Sequence, residues 1–149
     1  MVLPVLGSVE WVLVAADDVT VKARIDTGAK TSSMHAEKLQ EFERDGRPWL
    51  RFGVDPGRDG KSVTLERPIE RRVRIKRNDG SSQRRYVVKM VLAIGDIREK
   101  VEVSLNDRSD FEYPVLIGRN FLTDNALVDV SRKMLAKKAG ENNGDASQQ

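Results

Sequence analysis

The feature of this 149-residue sequence that most limits its fold is a pair of long alternating runs joined by a tight turn. Tyr86, Val88, Met90, Leu92 and Ile94 occupy every second position, and Val101, Val103 and Leu105 resume the pattern after Gly95-Asp96. A period of two puts these side chains on one face of a strand, whereas a helix of 3.6 residues per turn would scatter them. Shorter runs of the same kind precede this hairpin. Residues 5–15 and 19–25 read as two strands about the turn-forming pair Asp17-Asp18, with Val19, Val21, Ala23 and Ile25 on one face. Ser32 to Phe42 reads as either a short helix or a strand, and Asp45-Gly46 followed by Trp49, Leu50 and Phe52 favours a hairpin. Residues 54–61 form a polar loop, Ser62–Leu65 a strand closed by Pro68, and Val73 and Ile75 lead into a hairpin tip at Asn78 to Ser82. A polar loop over Asn106–Glu112 then precedes a strand over Pro114–Ile117, a helical turn over Asn120–Asn125 and a last strand over Leu127–Val130. Many short strands with tight turns predict a mostly-β fold, a small closed or partly open β-barrel with at most one or two short helices.

A chain of this length with 39% apolar residues supports one core, expected over 1–136, with a disordered polar tail over 137–149. There is no cysteine, which excludes disulfides and thiolate metal sites. The first sixteen residues lack a basic stretch and carry Glu10, so neither a signal peptide nor a membrane span is expected, and the cytoplasm is the expected compartment. Eight basic residues (Arg67, Arg71, Arg72, Arg74, Lys76, Arg77, Arg84, Arg85) lie between Glu66 and Arg85 against three acids. Such a stripe suits an acidic polypeptide or nucleic acid, and equally the solvated face of a strand pair. Tyr86 is the only aromatic residue near it, a poor supply for stacking bases, so nucleic acid is not an expected partner. Trp11 and Trp49 read as core or interface residues.

The strand over 19–25 runs directly into Asp26-Thr27-Gly28-Ala29-Lys30-Thr31-Ser32. Glycine lets the backbone turn sharply beside the carboxylate of Asp26, and Ala29 keeps bulk away from it. Such a turn is what an aspartic peptidase needs, although Asp, Thr and Gly are also ordinary turn residues. Peptide hydrolysis by carboxylates takes two of them sharing one proton. A single domain with one such turn must borrow the second carboxylate from another copy about a two-fold axis.

A second stretch, Pro114-Val115-Leu116-Ile117 followed by Gly118-Arg119-Asn120, lies about ninety residues further on. The two stretches, in this order, resemble the retropepsin-like aspartic peptidases over roughly residues 5–135. The longer string Asp26 to Ser32, with His35 shortly after, is similar to a bacterial branch designated ATP-dependent zinc protease and associated with RimK-type glutamate ligases. The resemblance implies a homodimer in which Asp26 is catalytic, Thr27 ties the two turns together and Gly28 leaves room for a substrate backbone. It implies that Gly118, Arg119 and Asn120 support the turn, and it places a flap at the Asn78–Ser82 tip. On the substrate side it points to Ala29, Lys30, Asn78, Asp79, Gly80, Ser81 and Arg84.

Two positions depart from the retroviral pattern. Lys30 stands where those members carry an acid that pairs with the arginine of Gly-Arg-Asn, so Arg119 must find another partner. The flap tip is polar and flanked by basic residues. Both departures favour an acidic or glutamate-tailed peptide, with a functional link to a RimK-type ligase. The zinc designation has no support in the residues: His35 is the single histidine, and His35-Ala36-Glu37 lacks a metal-ligand spacing. No phosphate-binding glycine loop supports ATP binding, and no cofactor is expected. The competing reading is a non-catalytic binding module on the same fold that holds an acidic protein or a ribosomal partner.

Overall fold

The structure, a computed structural model, describes residues 2–56, 62–106 and 110–139. The outer parts of two expected loops (57–61 and 107–109) and most of the expected tail (140–149) lie outside the described residues.

Twelve strands and one short helix follow in chain order: β1 (Val5–Leu6), β2 (Val9–Val14), β3 (Val19–Ile25), β4 (Ser32–His35), β5 (Glu37–Arg44), β6 (Arg47–Val54), β7 (Val63–Pro68), β8 (Arg71–Lys76), β9 (Ser82–Ile94), β10 (Ile97–Asn106), β11 (Val115–Ile117), α1 (Arg119–Leu122) and β12 (Leu127–Val128). The principal sheet runs β10-β4-β11-β3-β2-β9-β8, and β9 also pairs with β10, which closes six strands into a ring and leaves β8 as an outer arm. The fold is thus mostly β and is a closed barrel. Alternation explains it. Val12, Val14, Val21, Ala23, Met34, Val88, Leu92, Val103, Leu105 and Ile117 come from six strands and are all at or near zero exposure in one core. Each large aliphatic side chain buried there contributes about 1.5–3 kcal/mol.

Of the remaining strands, β1 pairs with β12, and β5, β6 and β7 form a separate three-stranded antiparallel sheet. Its turn at Asp45-Gly46 has φ of +54° and +74°, the left-handed pair that matches strand twist in a two-residue hairpin. The stretch 32–42 is therefore strand throughout, divided between two sheets at Ala36. On the exterior of this sheet Phe42 and Trp49 pack at 6.2 Å, with the Arg44 guanidinium over both rings. Trp11 is likewise half-buried beneath Lys22 and Lys138, so neither tryptophan is the core residue that its size suggests.

The expected strand 5–15 is broken at Gly7-Ser8. A Cβ at Gly7 would lie 2.6 Å from the Arg132 carbonyl oxygen, and Ser8 N donates to the same oxygen at 2.8 Å. β1 pairs in parallel with β12, and the fully buried Glu10 carboxylate accepts from Gly7 N (2.7 Å), Leu135 N (3.0 Å) and Ala136 N (3.1 Å). Three backbone donors substitute for the water this carboxylate has lost. No helix among the described residues is long and apolar enough to cross a membrane.

Candidate active site

β3 lies between β2 and β11, and its pairing with β11 is parallel: Val115, Leu116 and Ile117 stand against Ala23, Arg24 and Ile25. The two strands end level with each other, so the turns that follow them leave the barrel side by side. Asp26 N donates to Ile117 O at 2.9 Å, which anchors the first turn to the second strand. Within that turn Gly28 N donates to Asp26 Oδ1 at 2.8 Å, and Ala29 N to Asp26 O at 3.2 Å. Asp26 is half-buried, while Thr27 and Gly28 are exposed. A Cβ on Gly28 would lie only 3.1 Å from Asp26 Oδ1, so the bare glycine keeps the approach to the carboxylate open.

The second turn holds the first in place. Arg119 N donates to Ala29 O at 2.8 Å and Asn120 N to Lys30 O at 3.1 Å. The buried Ser32 hydroxyl accepts from Gly118 N at 3.0 Å and donates to Asn120 Oδ1 at 2.7 Å, and Asn120 Nδ2 donates to Glu102 O on β10 at 2.9 Å. A Cβ at Gly118 would sit 2.2 Å from Thr31 O, a position that only glycine can fill. Arg119 Nη1 donates to the Thr27 carbonyl at 3.0 Å, the partner it takes with Lys30 in the place of an acid.

A groove of about 460 Å³ opens beside the turns. Its lining includes Ala29 and Thr31, Ser33 of β4, Leu116 of β11, Glu102, Ser104 and Asn106 of β10, and Arg71, Val73, Ile75, Arg85 and Val87 of the β8–β9 hairpin. The hairpin tip, Asn78 to Ser81, is exposed, and Gly80 turns it with φ +88°. Asp79 Oδ1 accepts from both the hydroxyl (2.6 Å) and the backbone N (2.8 Å) of Ser81, which hold its carboxyl below the usual range. Lys30 lines an adjoining depression with Thr31, Arg71, Lys100, Glu102 and Asn120.

The structure thus brings together Asp26, Thr27, Gly28, Ala29, Gly118, Arg119 and Asn120, with Lys30 at the margin. Arg84 is on the wrong face to join them. In the β8–β9 register Val73 stands against Arg85 and Arg72 against Tyr86, so odd-numbered residues face the groove and even-numbered ones face away. On the far face Glu41 binds Arg72 and accepts from the Tyr86 hydroxyl at 2.6 Å, with Arg84 also hydrogen-bonded to Tyr86. Glu41 is consequently held below its ordinary value, first by Arg72 and then by Tyr86, and Tyr86 is raised, chiefly by Glu41. The residue missed was Arg85. Its signal was present in the parity of the strand, because Tyr86, Val88 and Met90 face one way and Arg85 and Val87 the other. Ser32 was also missed, since its partners lie 86 and 88 residues away. His35 meets Glu37 at 3.1 Å.

A solved structure from Legionella pneumophila, of a protein of unknown function, superposes on the chain with a TM-score of 0.77 at 32% identity, covering 90% of this chain and 98% of that one. A probable alpha-L-glutamate ligase of Shewanella pealeana is 35% identical over 140 residues, which is 92% of this chain and 31% of the relative. A second, from Parasynechococcus marenigrum, is 33% identical over 128 residues, 84% of this chain and 28% of the relative. The chain spans less than a third of the length of these curated relatives. The model of the RimB-like family, described as retropepsin-like aspartic endopeptidase RimB, matches residues 5–139. With the two level turns, one bearing a lone carboxylate and the other bracing it, this match places the chain in the RimB-like family of retropepsin-like aspartic endopeptidases.

Proposed function

We propose that the chain is an aspartic endopeptidase that works as a homodimer, with Asp26 from each copy forming the catalytic pair. The observation that carries this reading is the Asp26 turn itself: a half-buried carboxylate flanked by exposed Thr27 and Gly28, braced from behind by Arg119 and Asn120. An exposed turn of that kind can meet its own copy across a two-fold axis. One carboxylate then acts as base on water, and the other, protonated, polarises the peptide carbonyl. The pair titrates as a unit. The β8–β9 hairpin serves as the flap, adding main-chain hydrogen bonds to an extended peptide and excluding water. Lys30 and Arg85 near the groove favour an acidic or glutamate-tailed substrate, in keeping with relatives named as glutamate ligases.

The test is mass spectrometry of glutamate-tailed and neutral peptides incubated with wild type and Asp26→Asn from pH 4 to 8, with and without a chelator. Chelator-insensitive cleavage by wild type alone supports the reading; cleavage retained in Asp26→Asn overturns it. A second reading is favoured by one observation, that the matched region makes up under a third of relatives named as ligases. On that reading the domain is a non-catalytic module that holds an acidic or ribosomal protein, and salt-sensitive binding without cleavage by either protein is its signature.

A further inference from the structure

The basic stripe between residues 67 and 85 is mostly spoken for. Arg67 is paired with Asp17, Arg71 with Glu102 (2.6 Å), Arg72 with Glu41, and Arg74 donates to Ser82 Oγ (3.1 Å). Arg85 differs. Its Nε is buried without a hydrogen-bond partner. Asn106 Oδ1 is buried and unpartnered in the same way, and both residues line the same groove. Their neighbours there include Val73, Ile75, Val87 and Leu116, none of which can satisfy them; hydroxyls of Thr31, Ser33 and Ser104 also line the groove, and Glu102, the one carboxylate among the described lining residues, already holds Arg71.

Buried polar groups without partners are rare in folded proteins, because each has given up water for nothing. Here an unsatisfied cationic donor and an unsatisfied acceptor share a groove that Ala29, three positions beyond Asp26, also lines. A single ligand that supplies both a carboxylate and an N–H meets both needs. A peptide residue with an acidic side chain is such a ligand. The planar guanidinium takes a carboxylate through two parallel bonds, which an ammonium cannot do.

We propose that Arg85 and Asn106 form a subsite for one acidic residue of the bound peptide, Arg85 binding its side-chain carboxylate and Asn106 Oδ1 accepting from a peptide N–H. Lys30 supplies a diffuse positive field, whereas Arg85 makes the contact that tells an acid from its amide. The subsite rests on the peptide-cleft reading above, and its test separates the two.

Binding of a fluorescein-labelled pentaglutamate and of its pentaglutamine counterpart is measured by anisotropy, in the Asp26→Asn background so that no cleavage intervenes. The variants are Arg85→Gln, Arg85→Lys and Arg72→Gln, the last removing an equal charge from the opposite face of the same hairpin. Arg85→Gln is expected to weaken pentaglutamate binding about ten- to a hundredfold while changing pentaglutamine binding less than about twofold. Arg85→Lys should recover only part of that loss, and Arg72→Gln should lose less than about threefold. Equal losses in Arg85→Gln and Arg72→Gln, full rescue by lysine, or no binding of pentaglutamate by the parent protein overturns the subsite. Unchanged thermal midpoints exclude misfolding as the cause, and Asn106→Ala, expected to weaken both peptides alike, is the second variant should Arg85→Gln fail to fold. If pentaglutamate is discriminated through Arg85 yet never cleaved when Asp26 is intact, the peptidase reading fails and the subsite stands. If it is cleaved and Arg85→Gln cleaves it equally well, the reverse holds.

Discussion

The turn after β3 and the turn after β11 leave the barrel level with each other, and they are built in opposite ways. The first is open: Thr27 and Gly28 face solvent, and its internal bonds are one from Gly28 N to Asp26 Oδ1 and one from Ala29 N to Asp26 O. The second is closed at its backbone: Gly118 is buried against Thr31 and Ala29, its amide is spent on Ser32 of β4, and those of the exposed Arg119 and Asn120 are spent on the first turn. A carboxylate that must remain accessible cannot be fixed by packing around itself. It is fixed by a neighbour that gives up all freedom of its own. Stability and chemistry are therefore divided between two strand ends ninety residues apart in sequence.

Breaking the closed turn should cost most. Gly118→Ala forces a methyl to within 2.2 Å of a backbone oxygen that cannot move without disturbing the carboxylate turn. Urea denaturation should show a loss of roughly 3 kcal/mol or more, with activity lost alongside. Ser32→Ala comes next. It strips the Gly118 amide and Asn120 Oδ1 of their shared partner, and a loss of about 2 kcal/mol is expected from the same measurement. The open turn should behave differently. In Asp26→Asn the amide oxygen can still accept from Gly28 N, so stability should change by less than about 1 kcal/mol while any hydrolysis disappears. A large fall in stability there would mean that the two turns are not divided as described.

The smallest effect lies away from both turns, at Glu41, and depends on pH. Arg72 and Tyr86 hold its carboxyl below its ordinary value of 4.5 in the folded protein. A depressed native value means that the unfolded chain binds the proton first on acidification. The contribution to stability is then complete above 4.5 and is lost as pH falls through the native value. Glu41 is largely exposed, so solvent screens the pair and the effect is under about 1 kcal/mol. Glu41→Gln should flatten this part of the acid limb in thermal melts taken from pH 6 to 3, leaving the curve above pH 5 parallel to wild type.

The barrel was readable from the sequence wherever one strand face is buried and the other is not, as in β9 and β10, because burial itself writes the alternation. It was unreadable in β5. Seven of its eight residues are exposed and only Phe42 is half-buried, so no alternation exists over Glu37–Arg44 and helix and strand looked alike. The three-stranded sheet could not be told from the barrel, because its Leu50, Phe52, Val54 and Leu65 join the same core, while Arg44 and Arg51 on Glu66 lie on its outer side. At the site, Asp26 and Gly118 were visible because their neighbours along the chain share the work. Arg119's bond to Thr27 O, Ser32's bridge and Arg85's place on the groove wall depend on contacts or on strand parity, which a motif does not carry. Arg84 and Arg85 are equally close to the tip in motif terms, and one position along a strand is the whole difference between two faces.

The parallel pairing of β3 with β11 also sets a clock. Asp26 follows a strand made well before the one that completes its surroundings, which begins 92 positions after its partner residue, Val115 against Ala23. At ribosomal speeds of about 5–20 residues per second the carboxylate turn waits about 5–18 s for its brace. The barrel waits longer still, because β1 is sealed by β12 and Glu10 by the amides of Leu135 and Ala136. During that interval a nascent chain carries Asp26 at the end of a strand with one unpaired edge, and the two turns meet only when almost the whole domain has left the ribosome. Whatever chemistry the Asp26 turn carries must wait for the domain to close.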